Sequence, residues 1–158
     1  MKLKPVLLTG LLAGALDLSG ACIGYMIDHD GKFPTKILEY IAGGVFGKDA
    51  LTGGTTMKLA GLLFHFLIAM SFTFFYFFIY PKIKLLRKNV LFSAFIYGLF
   101  VWAVMNLLVV PNSAWHKPIT PFDVAASAKA AFILILCIGL PVAYFAKKYF
   151  SVSHTSKE

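Results

Sequence analysis

The sequence predicts an all-α, polytopic membrane protein: a bundle of four transmembrane helices with a short interfacial helix in its first outer loop. Three observations lead there. Hydrophobic residues make up 59% of the 158 positions and charged residues only 14%, against roughly half and a quarter in a soluble domain. Four stretches, about 5–27, 57–80, 89–110 and 122–146, each supply the ~20 apolar residues needed to cross a ~30 Å hydrocarbon core. Lys and Arg are also divided unevenly between the connecting segments. Residues 1–158 form one integral membrane domain, in contact with membrane lipids. The net charge of +8 fits the basic loops of such a protein, so no nucleic-acid partner is expected.

The first span follows Lys2 and Lys4, as the apolar core of a signal peptide would. Asp17 within the apolar run argues instead for a retained helix. A long outer loop comes next. In it, 34–46 has Ile37, Leu38, Ile41, Val45 and Phe46 on one side, opened by Pro34 and closed by Gly47. That pattern predicts a short helix in the interface or capping the bundle. Gly47 to Thr55 reads as a flexible connector. The second span is strongly aromatic, from Phe64 to Tyr80, and ends at Pro81; its rings are expected to face lipid, with Tyr80, Trp115 and Tyr149 as interface anchors. Asn89 is the expected N-cap of the third span, and Pro111 closes it. Thr120-Pro121-Phe122-Asp123 opens the fourth, with Thr at the cap and Pro at the first helical position.

The N-terminus, the 81–88 turn (Lys82, Lys84, Arg87, Lys88) and the C-terminus (Lys147, Lys148, Lys157) carry dense positive charge. The longer segments on the other side mix Lys32, Lys36, Lys48, Lys58 and Lys117 with Asp28, Asp30, Glu39 and Asp49. The positive-inside rule then places both termini and the 81–88 turn in the cytoplasm.

At helical spacing, Gly10, Gly14, Asp17, Gly20 and Gly24 share one face of the first span. The two Gly-x-x-x-Gly pairs are most simply helix-packing positions. Four polar residues then need a place in hydrocarbon. At 1.5 Å per residue, Asp17 lies roughly 15 Å below the outer surface, His65 ~12 Å, Lys129 ~10 Å and Asn106 ~6 Å. Together they predict a polar pocket in the outer half of the bundle. Asp17 and Lys129 are the natural ion pair, and His65 could share the carboxylate, because an isolated charge there costs at least ~2.5–3.5 kcal/mol. A purely structural pair, a hydrogen-bonded interface His65 and an Asn106 bonded to nearby backbone are the plainer alternatives.

Asp28-His29-Asp30 with His116 lacks the tight spacing of a metal site. Cys22 and Cys137 sit at depths differing by roughly 10 Å or more, too far for a disulfide. No nucleophile–base motif, phosphate loop or haem-attachment motif is present, so no catalytic residue, metal or cofactor is expected, and the chain is not read as an enzyme.

From about Gly61 to Pro111, His65 precedes Ser71 and the aromatic run, then comes Tyr80-Pro81-Lys82-Ile83-Lys84, then a Gly-containing span ending in Pro111. This pattern resembles the YagU-like family of small bacterial inner-membrane proteins and covers about a third of the chain. The resemblance implies a bacterial inner-membrane location and a poorly defined function, and it assigns no catalytic residue. Two functions fit the residues. One is a small transport, channel or proton-linked protein using the polar pocket. The other is a structural or accessory subunit that binds partner helices, or a second copy of itself, through its small-residue faces.

Overall fold

The computed structural model describes residues 3–115 and 123–155. All regular structure among them is helical. Four helices are long and apolar enough to cross a membrane: Leu3–Asp28, Gly54–Ile79, Val90–Val109 and Val124–Ser151. The protein is therefore a multi-pass membrane protein. The first (α1, Leu3–Asp28) stops where Asp30 and Gly31 take positive φ of 51° and 79°. The Gly31 N–H returns to Met26 O at 2.8 Å and satisfies one open carbonyl of the helix end.

The loop after α1 is largely helical. Pro34 lies in the turn before α2 (Ile37–Phe46), and Gly47 ends it at φ 71°. Gly47 to Thr52, expected to be a flexible connector, is a 3₁₀ helix with Ala50 fully buried. The buried face of α2 also differs from the expected one. It carries Glu39, Ala42 and Gly43, while Val45 and Phe46 are exposed. The helix packs backbone-first against α3 (Gly54–Ile79): a Cβ at Gly61 would collide with Leu38 O and crowd Ala42 N. So close an approach needs small residues between the helices, and Val45 and Phe46 are turned outward.

After α3 the chain turns at Pro81 and makes a one-turn helix, α4 (Lys84–Lys88), with Leu86 buried. Asn89 caps α5 (Val90–Ala103) as expected, accepting from Leu91 N at 2.8 Å and Phe92 N at 3.2 Å. The fourth span opens with α6 (Val124–Leu134), capped by Asp123, and the expected cap Thr120 lies outside the described residues. Asp123 Oδ1 accepts from Ala126 N at 3.0 Å, while 116–122 lie outside the described residues. The span ends in α7 (Leu140–Thr155).

Two stretches widen into π-helix, Val104–Val109 after α5 and Ile135–Gly139 between α6 and α7. Each ends two residues before a proline, Pro111 and Pro141. A proline removes its own donor and its ring collides with the carbonyl four residues back, and a wider turn relieves both.

The bundle has two ends. At the α4 end, Val6, Tyr76, Phe77, Tyr80, Tyr97 and Val142 form a dense core. The aromatic run of α3 is thus split: Tyr76, Phe77 and Tyr80 are buried, while Phe75 and Phe78 are exposed. Tyr80 is a core residue, not an interface anchor, because its ring stacks on Phe150. Trp115 likewise packs on α2, stacked on Tyr40 with its Nε1 donating to Tyr40 O at 3.0 Å. The α3 and α5 helices meet through side chains. Tyr76 and Ser93 share a hydroxyl hydrogen bond at 2.5 Å, and Tyr97 Oη donates to Phe72 O at 2.5 Å. At the other crossing, α5 and the fourth span touch backbone to backbone. A Cβ on Gly98 would collide with Ile135, and one on Gly139 would collide with Ala94 O.

Candidate functional site

The small face of α1 meets two partners. Gly10 and Gly14 are covered by Met70, Thr73, Phe66 and Ala69 of α3; Gly20 and Gly24 are covered by Ile133 and Cys137 of the fourth span. At ~100° per residue the two glycine pairs point in directions ~80° apart. Asp17 lies between them, where α1 passes from one neighbour to the other. It sits in the seam between α3 and the π segment of the fourth span. His65 of α3 and Cys137 of the fourth span are its ionisable neighbours. Among the described residues no hydrogen bond or ion pair engages its half-buried carboxylate.

His65 is brought to the same place by a bond across the helix pair. Its Nε2 lies 2.8 Å from Gly14 O. A carbonyl can only accept, so Nε2 is the donor and carries the proton. The ring is half-buried and sits edge-on to Phe66, with centroids 5.5 Å apart. The missing side chain of Gly14 leaves room for Phe66 and Ala69 of α3, so the two helices lie close beside that bond.

The other two pocket candidates stand elsewhere. Lys129 pairs with Asp28, at the C-terminus of α1, and not with Asp17. Asp28 lies eleven residues beyond Asp17, about 16 Å along the helix axis. A lysine stem extends towards water in preference to holding its ammonium in hydrocarbon. Both side chains of this pair remain part-exposed, at 36% and 48%. Asn106 is exposed, and its Nδ2 donates to Trp102 O at 2.9 Å within its own helix. Each four-residue step on a regular helix drifts by about 40°, so Asn106 already stands ~80° round from Gly98 and ~120° from Ala94.

Asp28-His29-Asp30 is likewise committed. His29 stacks on Tyr25 at 3.8 Å and its Nδ1 donates to Tyr25 O at 2.9 Å. Asp28 holds Lys129. His116 lies outside the described residues, and among those described no three His, Cys, Asp or Glu converge. Both Cys22 and Cys137 are free thiols.

One ionisable residue was absent from the expected set. Glu39 is only 5% exposed on the packed face of α2; one oxygen lies 3.9 Å from Lys58 Nζ and the other has no hydrogen-bond partner among the described residues. The signal was Ala42 and Gly43, which follow it at three and four residues. Together they mark a small-residue face that includes the glutamate.

No family model matches the chain, and no curated protein or solved structure shows detectable similarity to it.

Proposed function

We propose that this membrane protein carries out proton-linked transport or conduction, with Asp17 and His65 as its polar pair. The observation that supports it is the seam position of Asp17. A carboxylate in the middle of a spanning helix, beside an imidazole with one free nitrogen, has no structural ion pair among the described residues to account for it. Intramembrane ionisable groups that stay in place without a structural partner are the usual elements of proton and ion pathways. The pair lies nearer the α2 end of the bundle, and α2 packs over Gly61, one turn from His65 on the same face of α3. The resemblance to small bacterial inner-membrane proteins and the Lys/Arg asymmetry support an inner-membrane location with both termini and α4 cytoplasmic.

The alternative, an accessory subunit, would use the small faces of α1 to bind partner helices. Gly10, Gly14, Gly20 and Gly24 are already covered by side chains of this chain, which favours the transport reading.

Flux in liposomes tests it. The parent protein should collapse an imposed pH gradient faster than empty liposomes. Asp17→Asn should abolish that excess, and Lys129→Met, at the exposed pair, should leave it largely intact. No excess flux in the parent, or equal flux in Asp17→Asn, removes the proposal. For orientation, Leu85→Cys in a Cys22→Ser/Cys137→Ser background should resist impermeant thiol reagents added outside intact cells.

A further inference from the structure

We infer that the α4 end of the bundle is a docking surface for the headgroups of anionic phospholipids. The inference stands apart from the transport reading. It starts from the charges. Among the described residues, Lys82, Lys84, Arg87 and Lys88 around α4, Lys147 and Lys148 on α7, and Lys4 on α1 all lie at this end, with no Asp or Glu among them. The opposite end mixes Lys32, Lys36, Lys48, Lys58 and Lys129 with Asp28, Asp30, Glu39, Asp49 and Asp123. Two of those lysines are paired with carboxylates. One end is therefore uniformly cationic and the other close to balanced.

Packing draws the cations together at the level where headgroups lie. Leu86 is anchored in the core, so α4 is held against the bundle. Tyr80 stacks on Phe150, bringing the turn against the end of α7, and Arg87 lies close enough to Tyr80 for its charge to bear on the phenol. Lys82 lays its ammonium 3.5 Å from the centroid of the Phe78 ring, and that ring is 59% exposed. Ile83 and Leu85 are exposed between the cations. Ammonium and guanidinium groups interleaved with outward-facing apolar side chains, at the end of spanning helices, match the two parts of a phospholipid. The phosphodiester meets the cations, while the glycerol and upper acyl region meets Phe78, Ile83 and Leu85. Polybasic juxtamembrane segments attract anionic lipid in this way, and the attraction is screened by salt.

The test uses the full chain in nanodiscs of phosphatidylcholine alone and of phosphatidylcholine with phosphatidylglycerol. The parent should unfold at a higher temperature with phosphatidylglycerol, and the shift should shrink as NaCl is raised. Lys84→Gln/Arg87→Gln/Lys88→Gln should lose most of the shift, while Lys32→Gln/Lys48→Gln at the opposite end should keep it. If the triple variant does not fold, Lys147→Gln/Lys148→Gln on the exposed side of α7 should still lose part of it. An equal Tm for the parent in both lipids, or a full shift retained by the α4-end variants, overturns the inference. So does an equal rise from inorganic phosphate added to phosphatidylcholine discs, which would assign the cations to a free anion.

Discussion

The two halves of the bundle solve the same problem differently. The half towards α4 excludes polar groups or ties them off completely. Tyr76 is 0% exposed, and its hydroxyl is bonded to Ser93; the Tyr97 hydroxyl is bonded to Phe72 O. Its helices approach where Gly98 meets Ile135 and Gly139 meets Ala94. Among the described residues, the half towards α2 keeps Asp17 half-buried, bonds His65 to a backbone carbonyl, and buries Glu39 with one oxygen unpaired. A satisfied polar group in a low-dielectric interior fixes a packing arrangement, whereas an unsatisfied one is available to bind or exchange a proton. The contrast sets a half with its polar groups tied off against one that keeps polar groups open.

The sharpest way to break this comparison is to crowd the backbone crossing. Gly139→Val should cost at or above the upper end of the ~1–3 kcal/mol typical of overpacking, because the obstacle is Ala94 O and cannot rotate away. Gly24→Ala, in the other half, meets only the end of Ile133 at 2.9 Å and should cost much less. Thermal unfolding in detergent measures both, and equal losses would erase the distinction between the halves.

A smaller effect is expected at the hydroxyl pair. Tyr76→Phe strands the Ser93 hydroxyl in a dry site and should cost about 2 kcal/mol, while Tyr76→Phe/Ser93→Ala removes both partners and should recover part of the loss. A double variant less stable than the single one would mean that the bond does not set the α3–α5 contact.

Trp115→Phe keeps the stack on Tyr40 and removes the bond to Tyr40 O. It should cost about 1 kcal/mol and should increase hydrogen exchange in α2 without changing it at the α4 end. Increased exchange at both ends would show that the halves are coupled.

The smallest effect is predicted for the Lys129–Asp28 pair. Exposed pairs contribute ~0–1 kcal/mol, so Lys129→Met and Asp28→Asn should each change stability by no more than that. Asp17→Asn combined with Lys129→Met should be additive, because the two groups have different partners. A coupling above ~0.5 kcal/mol in that cycle would restore a link between Asp17 and Lys129.

The sequence by itself determined the four spans, the Asn89 cap, the existence of α2 and the small face of α1. Each depends on local composition or on the helical period, which need no knowledge of neighbours. It also placed Asp17 and His65 at similar depth, since depth follows from counting residues along a helix. Only the tertiary structure decided which groups meet. Lys129 reached Asp28 and not Asp17 because a flexible stem can travel towards water, and depth estimates fix Cα positions rather than ammonium positions. Asn106 stands off its stripe because a four-residue spacing drifts by about 40° per step, which adds up to ~120° between Ala94 and Asn106. The division of the glycine stripe between two partner helices, the burial of Glu39 and the sorting of α3 aromatics into core and surface depend on helix crossings, which involve residues far apart in the chain. Those contacts are set by packing in three dimensions, where the absence of one Cβ at Gly61, Gly98 or Gly139 fixes how close two helices come.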